Sequence, residues 1–242
     1  MPAGSKQKKS ATRVQRVTPA KQDSPSVDVI ATPDLRNNPD LSRLGAHACL
    51  VARDAVTNLA EGLSTRSSLA FLSVKECESE LDEIDRYVDE RIADELGAAA
   101  PDKVKELLAC LKFVLDLERI GDLVLTIVGR ARANADRLSN DDRDDLHEMC
   151  QTLGEMLTLV HEANAARNVQ PARTAHRLDG EIDRLRTRIY SRQISQRKRD
   201  LALSLEVFSM AQALERAGDH AKNLAEEVCH LVEGRTMRHQ RA

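Results

Sequence analysis

The amino-acid sequence predicts an all-α protein made of two tandem three-helix bundles related by internal duplication. Three observations predict it. Five of the seven prolines (Pro2, Pro19, Pro25, Pro33, Pro39) lie within the first forty residues. The other two, Pro101 and Pro171, stand where helices can start and where a missing N–H costs little. The composition is 41% hydrophobic, 2% aromatic and 31% charged, which suits aliphatic cores beneath amphipathic helices. Finally, Leu117-Glu118-Arg119-Ile120-Gly121-Asp122 recurs as Leu214-Glu215-Arg216-Ala217-Gly218-Asp219, with five of six positions identical.

Six helical segments are expected in order. The first, 41–61, ends at a break over Gly62–Ser68. The second, 67–96, opens on Ser67 or Ser68 as a capping residue and carries the apolar stripe Val74, Cys77, Leu81, Ile84, Val88. The third, 102–137, follows the Gly97–Asp102 break. It shows two stripes: Val104, Leu108, Leu111, Leu115, Glu118, Asp122, Leu125, and one residue earlier Cys110, Val114, Leu117, Gly121, Val124, Val128, Ala131. The fourth, 141–167, is capped by Asn140 or Asp141 after the Ser139–Asp142 break. The fifth, 171–196, begins at Pro171 and carries Leu178, Ile182, Leu185, Ile189. The sixth, 200–233, carries Val207, Ala211, Leu214, Gly218, Ala221, Ala225, Val228. Short connections make consecutive helices antiparallel. The expected domains are a disordered basic tail over 1–40, one repeat over 41–138, a second over 139–234, and a flexible end over 235–242.

Charge and cysteine usage narrow the function classes. Residues 1–22 hold six basic residues and no acid, although the whole chain has a net charge of −3. Without interleaved aromatics, this head is expected to be a solvated tail with no specific nucleic-acid partner. No apolar run is long enough to span a membrane, and the N-terminus lacks the hydrophobic stretch of a signal peptide. The five cysteines show no CxxC or CxxH spacing and are expected to be reduced, helix-borne core residues, so a cytoplasmic location is expected. The seven histidines show no ligand spacing; His176 and His220 come nearest the acidic rows.

Those rows are the candidate functional feature. Glu78, Asp82, Asp85 and Asp89 follow the stripe of the second segment by one residue, and Asp179 and Asp183 do the same in the fifth. Glu118 and Asp122 interrupt an apolar stripe of the third segment, and Glu215 and Asp219 flank the stripe of the sixth. Packing segment two on three, and five on six, gathers several carboxylates along one seam per repeat. Converging like charges need arginines or a cation between them. An i, i+4 acid pair aims two oxygens at one point, so Glu78, Asp82, Asp85, Glu118, Asp122, Asp179, Asp183, Glu215 and Asp219 are the candidate metal ligands. Oxygen-only ligands favour hard divalent or trivalent ions such as Mg²⁺, Mn²⁺, Ca²⁺ or ferric iron, with zinc also admitted. Gly121 and Gly218, each three residues after its Glu, suggest room for a close helix or an ion.

The repeated Leu-Glu-Arg-x-Gly-Asp segments, the second continuing as His-Ala-Lys-Asn-Leu-Ala-Glu, resemble the signature of the PhoU family of bacterial phosphate-signalling regulators. The resemblance spans roughly 41–233. It implies two three-helix bundles with a metal-binding Glu/Asp-x-x-x-Asp motif in each, in a homodimeric, non-enzymatic protein. It further implies a negative regulator of phosphate uptake and phosphate-starvation signalling. Such a regulator bridges a phosphate ABC transporter, through its ATPase, and a sensor histidine kinase, and is peripheral to the membrane through these partners. Two departures suggest unequal sites: Thr126 stands where the second copy has Asn223, and Arg186 where the first has Asp85. The competing expectations are a helical metalloenzyme, which needs open coordination positions and a nearby base, and a plain scaffold with buried arginine–acid networks.

Overall fold

Helix boundaries in the structure, a computed structural model, follow capping chemistry closely. Residues 39–195 and 200–233 are described, with Met1, Pro33 and Leu35 besides. Helix α1 runs Leu41–Thr65, α2 Ser68–Leu96, α3 Pro101–Ala133, α4 Asn140–Ala166, α5 Val169–Ser195 and α6 Leu201–Glu233. No strand occurs among the described residues. The expected basic head, the end of the chain over 235–242 and most of the connection after α5 lie outside them.

Asp40 caps α1, its Oδ1 accepting from the Ser42 and Arg43 amides at 2.8 and 3.2 Å. Ser67 caps α2 by accepting from the Ala70 amide at 3.2 Å. Pro101 opens α3 as expected. The cap of α4 is Ser139 rather than Asn140 or Asp141, because Asp142 at the third helical position reaches back to it and completes a capping box. Helix α5 starts two residues before Pro171, with Asn168 Oδ1 accepting from the Gln170 amide at 3.1 Å. Pro171 still falls in the first turn, where its missing N–H has no helical partner to lose. Helices α1 and α4 both end on an arginine in the left-handed region, Arg66 at φ 61° and Arg167 at φ 50°.

Within each repeat consecutive helices pack as antiparallel neighbours, and the two repeats then join through matching elements. Helix α1 packs on its counterpart α4 and α3 on its counterpart α6. Both contacts are antiparallel. The His147 ring meets the Ala60 carbonyl at 3.1 Å while Cys49 Sγ donates to the Leu157 carbonyl at 3.4 Å. On the other side, Arg130 pairs with Glu206 and Asp116 with His220. Each repeat thus presents the same surface to the other, the geometry of an isologous contact between subunits. One continuous aliphatic core results, from Leu44 and Leu59 in α1 through Leu117 and Ile120 in α3 to Leu153, Leu185, Leu214 and Leu224. No helix among the described residues is long and apolar enough to cross a membrane.

Cys49, Cys150 and Cys229 are buried, while Cys77 and Cys110 are half-buried, and none is paired. Burial raises the Cys49 thiol to about 12, so it behaves as a small hydrophobe. One expected stripe is displaced. Leu108 and Leu115 are 41% and 42% exposed. The core face of α3 is instead the neighbouring row of Val114, Leu117, Gly121, Val124 and Val128. Glu118 and Asp122 therefore stand at the edge of the α2–α3 contact rather than within an apolar stripe.

Candidate metal centre

Close approach of two helices builds the first seam. A Cβ placed on Gly121 would lie 2.7 Å from Leu81 Cδ1 and 3.9 Å from the Glu78 Cα. Glycine lets α3 come this near to α2 without displacing Leu81, and the space left open by the sequence pattern is filled by a helix. Gly218 plays the same part in α6, where an added Cβ would meet Ile182 Cδ1 at 2.8 Å.

The first seam draws Glu78, Asp82 and Asp122 together. Each offers a carboxylate oxygen within 4.8 Å of the other two, and no other group of three or more potential ligands is this close among the described residues. Two like charges about 5 Å apart repel by roughly 3 kcal/mol at an effective dielectric of about 20. Glu118 and Asp85 extend the seam inward. Glu118 Oε2 and Asp85 Oδ1 are buried carboxylate oxygens that accept no hydrogen bond. Arg119 pairs with the seam, with Nε 3.3 Å from Glu118 Oε2 and Nη1 3.3 Å from Asp122 Oδ2, and Lys75 acts on Glu78. Arg119 lies on the outer side of the seam, its side chain 53% exposed against 14% for Glu118.

The titration of these groups reports the crowding. Burial, with Asp122 adding to it, lifts Glu118 to about 7 despite the opposing pull of Arg119. Glu78 is raised by burial and then by Asp82 and Asp122. Asp85 is raised by burial and then by Asp89, partly offset by Arg119. In each case burial and the neighbouring carboxylates outweigh the nearby cations, Arg119 for Glu118 and Asp85 and Lys75 for Glu78.

The second seam is different. Asp179, Asp183, Glu215 and Asp219 occupy equivalent positions on α5 and α6 but do not converge as the first set does. Asp179 is 8% exposed and receives Lys222 Nζ on Oδ2 at 2.5 Å. Arg186 stands between Asp183 and Glu215, at 3.8 and 3.9 Å. Glu215 is raised by burial, with Arg186 opposing and Asp219 adding. Lys222 escapes a sequence reading because its partner sits on another helix, and no spacing along α6 reveals the register between α5 and α6.

The histidines stay outside both seams. His47 is buried, and its Nε2 lies 2.7 Å from Glu80. His220 pairs with Asp116 at 2.7 Å and His176 with Glu226 at 3.3 Å. His239 lies outside the described residues.

As a donor set, the first seam fits a hard cation: oxygen-only, convergent, and with two buried carboxylate oxygens that accept no hydrogen bond. Glu78, Asp82 and Asp122 would hold it, with Glu118 and Asp85 behind them. The second set does not fit in the same way, because a lysine and an arginine already occupy it.

Comparison with known proteins agrees with this architecture. The PhoU domain family model matches residues 41–131 and 146–228, once per repeat. A phosphate-specific transport system accessory protein PhoU homolog from Pseudomonas putida is 31% identical over 193 residues, covering 77% of this chain and 73% of that protein. PhoU homolog 1 of Thermotoga maritima, named in the same way, is 29% identical over 194 residues, covering 76% of this chain and 82% of that protein. Among solved structures, PhoU from Pseudomonas aeruginosa superposes with a TM-score of 0.74 at 23% identity, covering 81% of this chain and 97% of that one. The phosphate transport system regulatory protein PhoU from Streptococcus pneumoniae gives 0.71 at 16% identity, covering 84% and 97%.

Proposed function

The chain belongs to the PhoU domain family, and from that premise we propose that it is an accessory protein of phosphate transport, not an enzyme, whose first acidic seam holds a metal ion. The observation that carries the metal proposal is the convergence of Glu78, Asp82 and Asp122 beside two buried carboxylate oxygens that accept no hydrogen bond. A bound cation supplies charge neutralisation and a fixed link between α2 and α3. The protein's own residues set that link: Gly121 brings the helices together, Leu81 packs against it, and Glu118 carries the buried charge.

The relatives are named as accessory proteins of phosphate-specific transport systems. On this basis the chain acts as a negative regulator of phosphate uptake and phosphate-starvation signalling. It does so as a homodimer that docks in the cytoplasm on a phosphate ABC transporter and its sensor histidine kinase. The role suits a long-helix body whose seam loses negative charge and gains stiffness with metal. The test is the pair Glu118→Ala and Asp122→Ala in a strain reporting phosphate-responsive expression, with metal content measured on the purified variants. Loss of metal together with derepressed expression supports the proposal. Unchanged metal content and unchanged expression refute it.

One observation favours a second reading, a metal-free scaffold: Arg119 already bridges Glu118 and Asp122. Full thermal stability in chelator, with no metal above background, supports that alternative.

A further inference from the structure

The two repeats carry the same acidic frame, yet the buried polar atoms of the seams that make no hydrogen bond have opposite character. In the first seam they are acceptors, Asp85 Oδ1 and Glu118 Oε2. In the second the corresponding buried atom is a donor, Arg186 Nε. Arg186 occupies the register position of Asp85, 101 residues on as Asp183 is from Asp82, and Lys222 the position of Leu125, 97 residues on as Asp219 is from Asp122. These two exchanges replace a carboxylate by a guanidinium and an apolar side chain by an ammonium.

We propose that the second seam is neutralised by counter-ions of its own, Lys222 and Arg186, so that this protein takes up metal in its first repeat only. The inference rests on the metal assignment made for the first seam and adds that the duplication has diverged into one metal-dependent and one metal-independent half.

Geometry supports it in three ways. First, the lysine is better covered than the first seam's arginine, its side chain 32% exposed against 53%. Lys222 Nζ sits 2.5 Å from an oxygen of the buried Asp179, whereas Arg119 reaches its acids from the exposed side. Second, the balance of charge differs. Five carboxylates (Glu78, Asp82, Asp85, Glu118, Asp122) face Arg119 and Lys75 in the first seam; four (Asp179, Asp183, Glu215, Asp219) face Lys222 and Arg186 in the second. Third, a cation entering the second seam would have to displace the ammonium from Asp179 and would meet the N–H of Arg186, a donor that repels it. The second half keeps the close α5–α6 packing at Gly218, so its helices are held by fixed charges of the chain rather than by an ion.

The test is Mn²⁺ binding to the chelator-stripped full chain, read by elemental analysis and by titration calorimetry. Wild type is expected to bind Mn²⁺. A first-seam variant, Glu118→Gln with Asp122→Asn, is expected to bind none, and a second-seam variant, Asp183→Asn with Asp219→Asn, is expected to keep the wild-type stoichiometry. Restoring the first repeat's residues, Arg186→Asp with Lys222→Leu, is expected to add bound metal beyond the wild-type amount. Should that double variant fail to fold, the single Lys222→Gln is expected to add measurable, weaker uptake. Loss of metal from the second-seam variant, or no gain in either counter-ion variant, overturns the inference while leaving the first-seam assignment intact. If wild type binds no Mn²⁺, the first-seam assignment falls. The counter-ion variants then decide the second seam alone: uptake upholds its neutralisation by Lys222 and Arg186, and none overturns it.

Discussion

Replacing Gly121 by alanine separates the packing account of the seam from simple helix propensity. An alanine Cβ there would stand 2.7 Å from Leu81 Cδ1, well inside van der Waals contact, and Leu81 is buried in the core, so it moves only at the expense of its neighbours. Overpacking of this kind costs about 1–3 kcal/mol, while exchanging glycine for alanine within a helix returns about 1 kcal/mol. Gly129, in the same helix, has nothing within 4 Å of its added Cβ. Gly129→Ala therefore gains the propensity term alone, and the difference between the two variants is the packing term, about 1–3 kcal/mol. For a body of this size that is a gap of roughly 2–12 °C in melting temperature. Thermal unfolding followed by circular dichroism, in chelator, measures it, with Gly218→Ala and Gly180→Ala as the matching pair in the second repeat. Because Glu78 is the next neighbour of Gly121, Gly121→Ala is also expected to weaken metal uptake. If Gly121→Ala raised the melting temperature as much as Gly129→Ala, the close-approach argument would be wrong.

Other outcomes follow from single features. Glu118 is raised above its unfolded value, so the folded state holds its proton more tightly. Its charge therefore leaves stability untouched below the ordinary carboxylate range near 4.5 and lowers it as pH climbs from there to about 7. In chelator, Glu118→Gln is thus expected to stabilise the protein at pH 8, by roughly 2 kcal/mol after allowance for screening, and to change little at pH 4; equal effects at both pH values would contradict this. Metal affinity should rise over the same interval, because binding displaces that proton, and calorimetric titration at stepped pH checks it. Arg66→Gly and Arg167→Gly relieve left-handed backbone and are each expected to stabilise by about 1 kcal/mol in denaturant titrations. Arg192→Ala removes a guanidinium from the fully buried Asp142 and from Asp145, which it meets at 3.0 and 2.5 Å. A loss of about 3 kcal/mol is expected in the same assay.

How far the sequence carried this account depends on whether a property is local. Periodicity alone placed Val114, Leu117, Val124 and Val128 in the core, because one helix turn fixes which side chains share a face. The duplicated motif put Glu118 and Asp122 of α3 and Glu215 and Asp219 of α6 at equivalent positions for the same reason. Ser139 was missed as a cap since its identification needs the reciprocal bond from Asp142, which a plain count of capping residues does not distinguish from Asn140 or Asp141. The exposure of Leu108 and Leu115 was missed because two adjacent stripes of α3 are both apolar, and only the position of α2 and α6 decides between them. Lys222 on Asp179 depends on the relative height of two helices to within one turn. The joining of the repeats through α1 with α4 and α3 with α6 depends on the shape of whole faces. Neither is written in any short stretch of residues.

The central claim is that the carboxylates of α2 and α3 are brought together to hold a cation. Melting temperature, followed as Mn²⁺ is titrated into chelator-stripped protein at pH 8, tests it most directly. The account predicts a rise that saturates with bound metal and disappears in Glu118→Gln combined with Asp122→Asn. A melting temperature indifferent to Mn²⁺ in the unaltered chain would contradict it.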